Sequence, residues 1–174
     1  EDLAALGPAI YVANHSSALD TVIIPWIGVN RSTFVLKREA MLIPILGQAL
    51  WLSGHVFIDR SSPRKAVFTL NSLAQFARMN ELGIWIMPEG TRSKSGKLGP
   101  FKKGFVRLAL ETRYPVVPVA IQGAARIWPN GTWRLRPGVM QVHVLAPVDT
   151  SWWSVETAQE HAQYIRSLIA DELE

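Results

Sequence analysis

An α/β fold, with a mostly parallel or mixed central sheet covered by helices on both faces, is what this sequence predicts. Two patterns point to it. Short apolar runs suited to buried strands recur along the chain, and segments with helical spacing separate them. The third observation is positional: the residues able to do chemistry stand directly behind apolar runs, where strands of such a sheet end and helices begin.

The strand candidates are residues 9–13, 33–36, 55–58, 84–87, 116–121 and 139–145. A first helix follows residues 14–17, where Ser17 and Asp20 have the spacing of a capping box. After Pro63, suited to a first-turn position, Ala66, Val67, Leu70, Leu73, Ala74 and Ala77 recur at helical spacing. Phe105, Leu108 and Ala109 mark another helix. Val155, Ala158, Ala162, Ile165, Leu168 and Ile169 mark a closing one. Residues 40–52 are apolar but too short to span a bilayer. Their length favours a buried core helix, with an interfacial helix or a wall of an acyl tunnel as alternatives. No repeat, low-complexity tract or long linker divides the chain, so residues 1–174 are expected to form a single domain.

Composition narrows the function classes. The 174 residues contain no cysteine, which excludes a disulfide framework and a thiol nucleophile. A net charge of +4 favours anionic partners such as phosphates, nucleic acid or an acidic membrane face. No run approaches the ~20 apolar residues of a membrane-spanning helix, and no basic-then-apolar signal segment opens the chain. The first residue is Glu1, which leaves open hydrophobic helices upstream.

The most informative stretch is Asn14-His15-Ser16-Ser17-Ala18-Leu19-Asp20. A carboxylate can accept from one ring nitrogen of a histidine, fix its tautomer and leave the other nitrogen free to take a proton. On a continuous helix an offset of five would set the two side chains roughly 140° apart. The pair meets only if the chain bends between them, and Ser16-Ser17 supplies the bend. The other reading is that Asp20 merely caps a helix and His15 is a turn residue.

Further along stand Gly54-His55-Val56-Phe57-Ile58-Asp59-Arg60, Pro88-Glu89-Gly90-Thr91-Arg92 and Val116-Val117-Pro118-Val119. Asp59-Arg60 follow the third predicted strand and Glu89 to Arg92 the fourth. With His15 after the first, three motifs can converge on one mouth. A phosphate-binding P-loop fails on this sequence: counted from Gly90 a glycine is needed at 95, where Ser95 stands, and counted from Gly96-Lys97 the magnesium-binding hydroxyl falls on Leu98. No G-x-S-x-G nucleophile elbow exists. His55, His143 and His161 share no metal-ligand spacing.

In this order and spacing the four blocks resemble the PlsC-like glycerolipid (lysophosphatidate) acyltransferases, with their H-x4-D, G-x-x-F-I-D-R, P-E-G-T-R and V-P-V blocks. The resemblance covers residues 14 to 121. Ser16 stands where the family often has Arg or Gln, and Met87 where it has Phe. It implies transfer of a fatty acyl group from an acyl-carrier protein or coenzyme A thioester to the sn-2 hydroxyl of lysophosphatidate, forming phosphatidate. His15 would be the general base and Asp20 its orienting carboxylate. A thioester is activated enough for direct attack, so no acyl-enzyme is required. Lys37, Arg60, Glu89, Gly90, Thr91 and Arg92 would grip the acceptor's phosphate and headgroup. Glu89 would accept from a glycerol hydroxyl or fix Arg92, and a strand-exit turn with a local ion pair is the plain alternative for that block. Residues 116–121 would be a buried strand closing one wall of the tunnel.

No metal or cofactor is implied beyond the thioester co-substrate. The expected location is the cytoplasmic face of a membrane, on an anionic surface. Trp128, Trp133, Trp152 and Trp153 lie in loop-like stretches near Arg126, Arg134 and Arg136, a mixture suited to headgroup depth. The same chemistry on another lysophospholipid, a lyso-aminolipid or glycerol 3-phosphate is the nearest alternative. A nucleic-acid module is disfavoured because the tryptophans are not interleaved with Lys and Arg for stacking. A silent lipid carrier is disfavoured by the intact His15 and Asp20.

Overall fold

The computed structural model describes residues 7–24, 31–59, 61–90, 98–132 and 134–174. Its framework is one six-stranded sheet: β1 (Ile10–Ala13), β2 (Ser32–Lys37), β3 (Val56–Ile58), β4 (Gly83–Ile86), β5 (Val116–Gln122) and β6 (Gln141–Val144). The spatial order is β3-β2-β4-β1-β5-β6. All neighbours are parallel except β5 and β6, which pair antiparallel with Val119 opposite Val144. The two central strands, β1 and β4, are buried at every position. This is why they read as continuous apolar runs with no polar alternation.

Helices α3 (Pro63–Asn80), α4 (Gly104–Thr112) and α6 (Ala158–Leu173) cover one face. Leu70, Leu73, Phe105, Leu108, Ile165 and Ile169 pack there against Ile10, Val12, Ile84 and Ile86. Alternate residues of the same strands face the other way. Tyr11 stacks on Trp85 at 4.8 Å, and Phe34 lies beyond at 6.1 Å, with Ile24 and Ala124 closing the layer. That second face carries the short helices α1 (Ala18–Ile23) and α5 (Ala124–Ile127). Ser62 caps α3 ahead of Pro63, whose missing N–H is harmless in a first turn.

Residues 40–52 overturn the expectation of a buried core helix. Pro44 and Ile45 (φ 67°) split the stretch into a 3-10 turn over Arg38–Leu42 and the seven-residue α2 (Leu46–Leu52). A turn followed by two turns of helix cannot lay a continuous apolar stripe on the sheet, and only Gly47 of α2 is buried. Leu42, Ile45 and Leu52 are 80%, 84% and 76% exposed, and Trp51 and Leu46 also face outward. The tryptophan grouping is corrected as well. Trp153 is a core residue on Phe105 and His161, whereas Trp152 is exposed and Trp128 donates from Nε1 to Thr132 O at 2.8 Å. Trp133 lies outside the described residues. The closing helix starts at Ala158, and Val155 is exposed ahead of it.

His161 is buried, bonded to Thr157 Oγ1 at 2.8 Å and stacked on Trp153 at 4.6 Å. Burial pushes its pKa down, against a weaker upward pull from Glu160, and burial lowers that of His55 too. The fold therefore prefers both rings neutral, and below the ordinary value of 6.5 the unfolded chain binds more protons. Their contribution is full above that pH and is lost as pH falls through it. Calorimetry is expected to show Tm dropping as pH falls below 6.5, with a shallower drop in His161→Gln. Parallel curves for the two proteins would remove His161 as a cause.

Candidate active site

The strand order creates a crevice. From β1 the chain leaves over the α1 face toward β2. From β4, the neighbour of β1, it leaves over the α4 face toward β5. The two connections diverge at the carboxyl ends of β1 and β4, the usual position of a site in an open parallel sheet. His15 follows β1 and Glu89 follows β4. They meet across that opening: the His15 backbone N–H donates to Glu89 Oε1 at 2.8 Å.

The loop that presents His15 is fixed on all sides. Asn14, buried at the end of β1, accepts from the Ile121 N–H through Oδ1 at 2.7 Å and donates from Nδ2 to the Ile121 carbonyl at 3.0 Å. Its side-chain amide thus acts as one more rung beside β5. Ser17 Oγ donates to Trp128 O at 2.7 Å, and Asn130 Nδ2 donates to Ser16 O at 3.0 Å. The sequence placed Asn14 in the key stretch without giving it a role, and it did not point to these tethers. The available signal was a lone amide closing an apolar run, where a buried polar group must find fixed partners.

Asp20 is fully buried, and a single oxygen holds three donors. Oδ2 accepts from Ser16 N at 2.7 Å, Ser17 N at 2.8 Å and His15 Nδ1 at 3.0 Å. Ser17 is the extended N-cap of α1, its Oγ accepts from Leu19 N, and the reciprocal capping box is complete. The cap and the imidazole contact, alternatives in the sequence, coexist on one atom. A carboxylate already accepting two backbone N–H groups can only accept from the ring, so Nδ1 donates to it and Nε2 is the ring nitrogen left outside this contact. The His15 side chain is 17% exposed, whereas Asp20 behind it is closed off from solvent.

Glu89, expected to meet a glycerol hydroxyl or Arg92, has backbone partners among the described residues. Oε1 takes the His15 N–H, and Oε2 takes the Gly99 N–H at 2.9 Å. Both oxygens are thereby engaged with backbone, and the side chain is almost entirely buried. Gly90 sits at φ 77°, a left-handed turn that favours glycine. Thr91, Arg92 and Arg60 lie outside the described residues. Asp59, beside Arg60, accepts from Arg38 Nη1 at 3.0 Å and from Ser61 N at 3.0 Å. The Ser61 hydrogen bonds hold its carboxyl below the usual range, with Arg38 adding to them. Lys37 ends β2, half exposed, its Nζ 3.5 Å from Glu39 Oε1. The exits of β2 and β3 lie two and three strands from β1, about 10 and 14 Å along the same edge.

A narrow apolar cavity of about 20 Å³ lies under α1, lined by Thr21, Ile24, Phe34, Leu36, Trp85 and Met87 among others. A larger groove of about 500 Å³, between residues 145–149 and α6, includes Trp152 and Tyr164. Val148 there bridges to Val116, at the amino end of β5, so that groove lies at the edge opposite His15.

Comparison with known proteins agrees with this geometry. A family model described as Acyltransferase matches residues 1–122. A 1-acyl-sn-glycerol-3-phosphate acyltransferase of Limnanthes douglasii is 37% identical over 94% of this chain and 60% of its own length. One from Escherichia coli K12 is 33% identical over 99% of this chain and 69% of its own. The crystal structure of the 1-acyl-sn-glycerophosphate (LPA) acyltransferase PlsC from Thermotoga maritima superposes with a TM-score of 0.78 at 31% identity, covering 95% of this chain and 65% of that one. The chain thus spans just over half the length of its plant relatives. With its first 122 residues matched by the family model and its sheet by a solved PlsC, the chain belongs to the acyltransferase family, among the PlsC-like glycerolipid members.

Proposed function

We propose that this chain carries the reaction centre of an enzyme that moves a fatty acyl group from an acyl thioester, on acyl-carrier protein or coenzyme A, to the sn-2 hydroxyl of 1-acyl-sn-glycerol 3-phosphate, giving phosphatidate. The observation that supports it most is the His15 Nδ1 to Asp20 Oδ2 contact of 3.0 Å at the crevice between β1 and β4. Relatives named for this activity support the acceptor. In the proposed reaction His15 Nε2 takes the hydroxyl proton as the oxygen attacks the thioester carbonyl. The tetrahedral intermediate collapses, the carbon–sulfur bond breaks, and the imidazolium returns the proton to the leaving thiolate. Asp20 stabilises the cationic ring between the two steps. Lys37, Arg60, Thr91 and Arg92, with the Gly90 turn, would hold the phosphate end. Glu89 would serve by fixing the His15 and Gly99 backbone.

The acyl chains come from lipid or carrier, and no helix among the described residues is long and apolar enough to cross a membrane. The outward apolar crest at residues 41–52 supports a peripheral seat on an anionic, cytoplasmic membrane face. The decisive experiment is mass spectrometry of products from purified protein. It is offered mixed thioesters and a panel of lysophosphatidate, other lyso-lipids and glycerol 3-phosphate, with and without anionic vesicles. Phosphatidate is the expected product, formed faster on vesicles. Acylation of a different acceptor in preference would replace the substrate assignment, and an unchanged rate on vesicles would remove the membrane seat.

A further inference from the structure

We infer that the outer surface of α3 and the start of α4 docks an acidic protein bearing the acyl thioester; this names the donor's carrier and rests on the acyl-transfer reading above. Residues 61–80 and 98–110 hold six cations, Arg64, Lys65, Arg78, Lys102, Lys103 and Arg107, and no carboxylate. All six are exposed, and among the described residues none lies within ion-pair distance of an acid.

All but Arg78 gather at one end of the helix pair. A Cβ on Gly104 would stand 3.5 Å from Leu70 Cδ1, and Arg107 Nε donates to Asn71 Oδ1 at 2.9 Å. Arg64 lies two turns before Asn71 on the same side of α3, and Lys103 one turn before Arg107. That end is the carboxyl edge of the sheet. Lys102 N donates to Pro88 O at 3.0 Å, next to Glu89, which holds the His15 N–H. Neither helix has an acid in its first turn. The helix dipole disfavours cations there, so helix stability does not account for Arg64, Lys65 or Lys103. Phe68, one turn after Arg64, is 74% exposed, an aromatic anchor of the kind protein interfaces favour beside arginine.

A membrane is the other anionic partner, but the apolar crest lies across the sheet from this surface. The right-handed crossover from β2 to β3 carries residues 38–55 over the α1 face. His55, at its end, packs on Phe34 of that layer at 4.9 Å. A membrane seated on the crest leaves the α3–α4 surface turned to water, where a water-borne acidic carrier reaches it.

The test uses the full chain with Lys65→Glu/Lys103→Glu and the neutral Lys65→Gln/Lys103→Gln. The probes are palmitoyl-loaded acyl-carrier protein, palmitoyl-coenzyme A and anionic vesicles. In the charge-reversed protein the Kd for the loaded carrier is expected to rise about tenfold or more, with a smaller rise in the neutral pair. Wild-type affinity for the carrier falls steeply with salt, and the slope flattens in both variants. The ratio of kcat/KM for the carrier thioester over the coenzyme A thioester falls by a similar factor, with Tm nearly constant. Carrier binding that ignores both the reversal and the salt overturns the inference. So does an equal loss with both donors. Loss of vesicle binding with carrier affinity intact also overturns it, and assigns the surface to the membrane. If wild-type protein forms no acyl product from either thioester, the acyl-transfer reading fails by itself. The carrier titration needs no turnover and still decides the docking surface.

Discussion

His15→Ala is expected to lower kcat by about 10³-fold or more while leaving a folded protein. In the proposed mechanism, removing the ring takes away the group that accepts the hydroxyl proton. It takes little from the framework, because the side chain is partly exposed and outside both core clusters. Asp20 keeps its two backbone donors, Ser16 N and Ser17 N, so its buried charge is not stranded. The stability loss should be about 1 kcal/mol, a Tm shift of a few degrees at most. Circular dichroism melting beside a single-turnover assay checks both halves. Normal turnover would reject the base assignment; collapse of the melt would show that the ring is structural.

Asp20→Asn is expected to cost about 10²- to 10⁴-fold in kcat, with a smaller effect on folding. Its value lies in the double engagement of Oδ2. An amide oxygen in that place can still accept from Ser16 N and Ser17 N, so the capping box survives in weakened form. What disappears is the negative charge facing His15, and with it the stabilisation of the imidazolium. Asp20→Ala removes both functions, adding loss of the capping-box bond from the Ser17 N–H, worth about 1 kcal/mol. Comparing the two variants separates them. Equal kcat losses with a larger drop in Tm for alanine than for asparagine fit this account; near-normal kcat in Asp20→Asn rejects it.

The sheet and its main helices were legible because their physics is local. Runs such as Ile10 to Ala13 and Val116 to Ile121 are buried on both sides and so are apolar throughout. The α3 stripe is equally plain, with Leu70, Leu73, Ala74 and Ala77 on one face. The 40–52 segment was misread because apolar content alone suggests burial, whereas Pro44 and the positive φ of Ile45 break it into pieces too short to dock. Within the site, the spacing and the bend at Ser16-Ser17 allowed His15 to meet Asp20 but left a plain helix cap as the alternative, and it was the resemblance carried by all four blocks that implied the pairing. The partners of Glu89 did not. They come from His15 and Gly99, 74 and 10 residues away, and are backbone amides that carry no side-chain signature. Asn14 with Ile121 and Arg166 with Leu98 are similar: the topology creates these contacts across 107 and 68 residues.

The six-residue helix that begins at Ala18 has a consequence for how the protein tolerates heat. Its first turn and the proton inventory of the imidazole depend on the same oxygen, so the two come apart together. Warming that unravels this one short end would silence turnover while the sheet beneath is still intact. Inactivation temperature would then gauge a local opening, well short of global melting.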